Sequence, residues 1–230
     1  MQTQPLNWRQ RDSWIRWVVL ITALSGVATV TGRVLLYPAQ SKVLSTAYRF
    51  PEQVALAGQP GQAEALALDP EFPEFYATAH RYRYQYQERS VDIEMYYLVR
   101  PNAELTELLE DQFNQVPNPE TALIKQSPDT GAYLTYSDSD RVYLTACINP
   151  HGGSTVTDQA FKYNRNFHDI QHRLLPWLRG EPLKDERCLW AQLSTPAAAD
   201  DAAATRTLEQ AWKSWYDWWQ AHFPEATTVN

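Results

Sequence analysis

The sequence predicts an α+β protein: an N-terminal transmembrane helix followed by an antiparallel sheet packed with two to three helices. Three observations carry that expectation. Apolar residues dominate from Trp14 to Tyr37. From Ala79 the pattern changes to strict two-residue alternation, the signature of strands. Two later segments repeat apolar residues at three- and four-residue spacing, the signature of amphipathic helices. The predicted order ββαβββαβα has hairpins and no βαβ rhythm, which favours helices on an antiparallel sheet. The expected layout is a cytoplasmic tail at 1–13, an anchor at 14–37, a linker at 38–78, the extramembrane domain at 79–224 and a tail at 225–230.

Composition bounds the function. The chain has 230 residues, 44% of them apolar and 13% aromatic. That is one ordinary domain with an appendage, large enough to bury a core unaided. A mean hydropathy of −0.50 excludes a multi-span membrane protein. The aromatic content excludes a disordered chain, because so much ring surface needs burial. A net charge of −7 and a pI near 5.2 lack the basic footprint of a nucleic-acid binder. The charge is uneven: residues 1–49 carry +5 and residues 50–230 carry −12.

The anchor expectation rests on the sixteen uncharged residues between Arg16 and Arg33. As a helix they rise roughly 24 Å, and the whole stretch to Tyr37 roughly 36 Å, against a bilayer core of about 30 Å. The span closes if Arg33 snorkels to the far interface. Trp14, Trp17 and Tyr37 stand where interfacial aromatics belong, and Pro38 stops the helix. A cleaved signal would need a shorter apolar run and a small-residue exit, which residues 33–39 do not offer. A plasma (inner) membrane protein follows, N-terminus cytoplasmic and C-terminal domain periplasmic, with the lipid bilayer as a partner. Within the span, Thr22, Ser25, Gly26, Thr29 and Gly32 share one arc of about 120°. Small, weakly polar residues on one stripe let a partner helix approach closely.

The domain elements follow in order. Residues 38–70 carry Pro51, Gly58, Pro60, Gly61 and Pro70, with a short helix expected over 52–57. Tyr82, Tyr84 and Tyr86 alternate with Arg81, Arg83 and Gln85. After a break at 88–90, Val91, Ile93, Met95, Tyr97 and Val99 alternate with Asp92 and Glu94. This reads as a hairpin with Arg83 near Glu94, its arginines on a solvated face. A helix is expected over 101–115, carrying Leu105, Leu108, Leu109 and Phe113 on one face. Strands follow at 122–126, 132–137 and 142–148, broken by SPDTG and SDSD turn chemistry. The next helix starts near Thr157, with Ala160, Tyr163, Phe167, Ile170, Leu174 and Trp177 as its core stripe. Residues 187–194 form another strand. The final helix, 200–223, aligns Leu208, Trp212, Trp215 and Trp219.

Candidate chemistry is sparse. Cys147 and Cys188 either form a bridge or are two buried thiols. A bridge closing about forty residues contributes on the order of 4 kcal/mol in the chain-entropy model. A Cys147 nucleophile would need a base, and His151, His168 and His172 are the supply. His151 sits in the turn NPHGGS, but no Gly-x-Ser-x-Gly elbow accompanies it. HDIQH at 168–172 places two histidines four apart, like a zinc protease, with Asp in place of Glu. Helical geometry turns His172 away from the predicted core stripe, so no metal ligand set and no catalytic residue is assigned. No phosphate-cradling loop is present, because Gly131, Gly152 and Gly153 fit turns, and no cofactor is expected. Nine Trp and thirteen Tyr raise a glycan-binding alternative.

One resemblance adds to this. The run CINPHGGSTVT from Cys147, then Phe161, then LPWLRG at 175–180 and DERCLW at 185–190, resembles the cyanoexosortase A system-associated proteins. The resemblance implies a non-catalytic accessory of a cyanobacterial exosortase. That polytopic membrane cysteine peptidase handles proteins bearing a C-terminal Pro-Glu-Pro sorting signal, and it would be the partner. The active cysteine of such a system belongs to the exosortase, so neither Cys147 nor Cys188 inherits it.

Overall fold

The computed structural model describes residues 8–36, 48–66, 76–99, 109, 117, 120–138, 140–169, 175, 185–198 and 201–225. The chain divides into two compact units, Met1–Lys42 and Val43–Asn230.

The first unit contains one helix, α1 (Trp8–Leu36). It corrects the transmembrane expectation. Among the described residues no helix is long and apolar enough to cross a membrane. The helix itself is long, but its uncharged run is only the sixteen residues between Arg16 and Arg33. Thr22, Ser25, Gly26, Thr29 and Gly32 dilute that run further. A spanning helix needs about 20 predominantly apolar residues. The single-pass inner-membrane placement, with a cytoplasmic tail and a periplasmic domain, loses its support with the span.

The second unit is built on a seven-stranded sheet in the order β3-β4-β5-β9-β8-β7-β6. A small hairpin of β1 (Ala55–Leu56) and β2 (Gln59–Pro60) precedes it. The strands are β3 (Gln62–Ala65), β4 (Tyr76–Tyr86), β5 (Arg89–Val99), β6 (Leu123–Ser127), β7 (Gly131–Asp138), β8 (Arg141–Ile148) and β9 (Arg187–Pro196). Every pairing between neighbours is antiparallel. Among the described residues the unit also holds α2 (Asp158–Asn164), which widens into a π turn at Arg165–Asp169, and α3 (Ala202–Ala221).

The hairpins follow from their turns. Gln87 and Glu88 have φ of 49° and 64° and form the two-residue connection between β4 and β5. Positive φ at both central residues matches the twist of the flanking strands. This turn sets Arg81 opposite Glu94 and Arg83 opposite Asp92. The expected pairing of Arg83 with Glu94 is therefore shifted by two residues, because the turn lies before Arg89 rather than within 88–90. β9 inserts between β5 and β8 and is buried along nearly its whole length. Its lack of alternation is the mark of a strand covered on both faces.

α3 lies on the sheet face formed by Tyr82, Tyr84, Ile93, Met95 and Leu193. Asp201 caps its N-terminus, accepting from the backbone N–H of Ala203 and Ala204 at 2.9 Å each. Leu208, Trp212, Trp215 and Trp219 are all buried, as their spacing predicts. The Trp215 ring packs edge-on to Tyr82 and Tyr84 at 5.2 and 6.0 Å. Its Nε1–H points at Met95 Sδ, 3.1 Å away.

Other expectations need correction. Residues 48–66 are more than a linker: Phe50, Val54 and Leu56 are buried, and β3 pairs along β4. The helix expected over 52–57 is replaced by the β1–β2 hairpin, turning at Ala57 and Gly58. In α2 the buried residue is Phe161, while Tyr163 and Phe167 are exposed at 69% and 51%. The predicted stripe thus faces the wrong way: Tyr163 is already exposed ahead of the π turn, and its ring stacks on that of Phe167. Ile170, Leu174 and Trp177 lie outside the described residues, as does the helix expected over 101–115 except for buried Leu109.

Candidate functional site

The residues that carried the sequence argument are found first on the segment after β8. Cys147 on β8 lies opposite Trp190 of β9. Cys188 is two residues along β9 from Trp190 and so on the same face. The two sulfurs are joined as a disulfide, with Cα atoms 5.7 Å apart. Both cysteines are fully buried. In this bridged state neither sulfur is a thiolate, so the Cys147 nucleophile has no reacting atom.

The segment from Asn149 to Thr155 is laced to its surroundings. Cys147 and Thr155 exchange backbone hydrogen bonds of 2.9 and 3.0 Å. Asn149 Nδ2 donates to Gly153 O at 2.7 Å and to Thr155 Oγ1 at 3.2 Å. Tyr216 donates to Gly152 O and Gln220 donates to Asn149 O, both from α3. Asn164 of α2 donates to His151 O. Ser154 Oγ lies 2.7 and 2.8 Å from the carbonyl oxygens of Thr130 and Ala132. Gly131 has φ of +94°, and a Cβ there would meet Ser154 N at 2.4 Å. The His-Gly-Gly turn is therefore a tie between β7, β8, α2 and α3. The carbonyl oxygens of His151, Gly152 and Gly153 all accept within the scaffold.

The histidine pair of the zinc-like motif is not brought into view: the side chains of His168 and His172 lie outside the described ones. Among the described residues no group of three or more His, Cys, Asp or Glu could hold a metal ion.

The stripe on α1 has its hydroxyls satisfied internally. Thr22 donates to Val18 O at 2.8 Å, Thr29 to Ser25 O at 2.7 Å, and Ser25 to Ile21 O. Such back-bonding leaves the stripe little to offer a partner beyond shape. Nothing lies within 4 Å of a Cβ built on Gly26 or Gly32.

The sheet face opposite α3 carries a candidate site where the alternation of 81–94 predicts a solvated surface. Arg81 and Arg83 of β4, Asp92 and Glu94 of β5, Gln192 and Ser194 of β9, and Arg141 and Tyr143 of β8 line one concavity of about 250 Å³. Alternation puts each pair on this face, and the strand order sets the pairs side by side. Arg81 Nε donates to Glu94 Oε1 at 2.9 Å, and its Nη2 reaches the same oxygen. Tyr96 donates to Glu94 Oε2 at 2.9 Å. Arg141 Nη2 lies 2.8 Å from both Asp92 Oδ2 and Ser194 Oγ. Arg83 Nε is 3.4 Å from Asp92 Oδ1, and its Nη2 is 3.6 Å from Glu64. The hydrogen bond to Glu94 raises the Arg81 pKa further above its already high ordinary value. Burial raises that of the Tyr143 phenol, opposed by Arg141. The Tyr143 ring stacks on Tyr136, 4.8 Å between centroids and 6° between planes.

A second, wider concavity of about 420 Å³ lies between the first turns of α3 and β6–β8, with Leu123, Val142, Thr205 and Arg206 in its lining. Lys125 and Glu209 pair beside it at 2.8 Å.

The chain matches no protein-family model, no curated protein and no solved structure.

Proposed function

We propose that the chain is a non-catalytic accessory protein of an exosortase, a cysteine peptidase that processes proteins with a C-terminal Pro-Glu-Pro signal. One observation carries the reading. The residues that hold the family resemblance, Cys147, Asn149, Gly152, Gly153, Ser154 and Cys188, are spent on the scaffold through a bridge and a net of hydrogen bonds. A scaffold so tied favours a protein that presents a fixed surface to a partner, while the reactive cysteine is supplied by the exosortase.

The test is co-purification. A tagged full-length chain is expressed with the exosortase encoded nearest to it and recovered in mild detergent. The expected result is recovery of the exosortase with wild type and with the Cys147→Ser/Cys188→Ser double variant. Failure of the folded wild type to retain the exosortase overturns the proposal.

A further inference from the structure

We infer that the concavity on the sheet face opposite α3 binds a small carboxylated sugar, with the carboxylate held by the three arginines and the sugar ring on Tyr143. The inference goes beyond the sorting role and stands without it.

The lining groups differ in what they have left to give. Both oxygens of Glu94 already accept, from Arg81 and from Tyr96. Both oxygens of Asp92 face guanidinium groups, those of Arg83 and Arg141. Each carboxylate oxygen is thus engaged by a cation or a phenol inside the site, while guanidinium N–H groups remain to spare. A guanidinium carries five N–H groups in a fixed fork. Arg81 directs two of its nitrogens at Glu94, and Arg141 directs one at Asp92 and Ser194. Arg83 is the most open of the three, its side chain 54% exposed. A surplus of donors calls for a ligand rich in acceptors.

Charge is locally balanced: three arginines face Asp92, Glu94 and, at Arg83, Glu64, within a stretch of chain that carries −12. The ion pairs also hold the guanidinium groups in place, so a ligand need not pay for ordering them. A carboxylate meeting a guanidinium fork forms charge-assisted, often bidentate hydrogen bonds.

The ring supplies the second half of the ligand. Tyr143 borders the cavity, and Tyr136 fixes its plane by stacking. Ser194, opposite Tyr143 in the ladder, is small and leaves space beside that ring. A flat, half-buried aromatic next to hydrogen-bond donors suits a sugar ring, whose C–H face is apolar and whose edge is polar. A bare oxyanion would use the arginines and ignore the tyrosine. A neutral sugar would do the reverse.

The experiment is titration of the full chain with galacturonate, galactose, acetate and N-acetylglutamate, read by calorimetry. Galacturonate is expected to saturate with Kd on the order of 1 mM or tighter, and the other three to bind at least about tenfold more weakly. Arg83→Gln is expected to weaken galacturonate by about tenfold with an unchanged melting temperature, since one charge-assisted hydrogen bond is worth that much. Tyr143→Leu keeps bulk but loses the flat ring, and is expected to cut the preference for galacturonate over acetate. Four outcomes overturn the inference: no saturation by about 10 mM galacturonate, equal affinity for galactose, tighter binding of N-acetylglutamate, or indifference to Arg83→Gln.

Discussion

Trp215→Ala is expected to be the most destabilising single truncation on α3. The Trp215 side chain is fully buried, packs edge-on against Tyr82, Tyr84 and Trp219, and directs its indole N–H at Met95. Truncating a buried Trp costs about 3–5 kcal/mol, as lost burial plus the cavity left behind. The surrounding rings cannot collapse into that space, because each is held from another side. Tyr82 donates to Pro51 O and Tyr84 to Val54 O, both at 2.8 Å. The upper half of the range is therefore expected. For a domain of this size each kcal/mol moves the melting temperature by roughly 2–4 °C, so a drop on the order of 8–20 °C should appear in thermal unfolding followed by circular dichroism. Trp218 is the internal control: half-buried and stacked on His222 at 4.1 Å, it should cost about 1 kcal/mol when truncated. If Trp218→Ala destabilised as much as Trp215→Ala, α3 would not seat as described and the packing argument would fail.

Three further expectations follow from particular contacts. The oxidised chain should show no free thiol when denatured without reductant, and Cys147→Ala/Cys188→Ala should lose about 2–4 kcal/mol in urea unfolding; labelling of both cysteines without reductant would refute the bridge. Gly131→Ala should cost more than about 2 kcal/mol, because it forces a side chain into positive φ and into Ser154 N, while Gly153→Ala, whose Cβ comes no closer than 3.1 Å to Gly131 Cα, should cost less; equal effects would show that the tie at Ser154 is not close-packed. Burial lowers the pKa of His80, with the Ala79 backbone and Glu52 opposing. A group whose folded pKa is depressed favours the fold while it is neutral. Its contribution is full above the ordinary histidine value of about 6.5 and is lost as pH falls through the lowered folded value. His80→Gln should flatten that part of the stability–pH curve, and an unchanged slope would contradict the assignment.

How far the sequence reached depends on whether each feature is local. The hairpins were legible because SPDTG and SDSD are turn chemistry and their flanks alternate. The α3 stripe was legible because four large residues repeat at helical spacing. The register of β4 against β5 slipped by two because the alternation of 81–99 is compatible with several turns, and only the positive φ at Gln87 and Glu88 selects one. The stripe assigned to Tyr163 and Phe167 faces outward because the two rings satisfy helical spacing by stacking on each other, and spacing alone does not say which face is buried. The transmembrane expectation weighed interfacial Trp14 and Tyr37 above the shortness of the run between Arg16 and Arg33. The charged concavity was half legible. Arg81, Arg83, Asp92 and Glu94 were placed on one face, but nothing in 187–194 says that β9 will lie beside β5. Only that insertion brings Ser194, Arg141 and Tyr143 next to Asp92.

The central claim is that the chain serves the sorting reaction without performing it. It is tested most directly by processing of a Pro-Glu-Pro-bearing reporter in a strain lacking this chain, complemented with wild type or with Cys147→Ser/Cys188→Ser at equal folded protein. The account predicts that deletion impairs processing and that both forms restore it to the same extent. Restoration by wild type alone, with the double variant folded and present, would place a reacting cysteine in this chain and contradict the account.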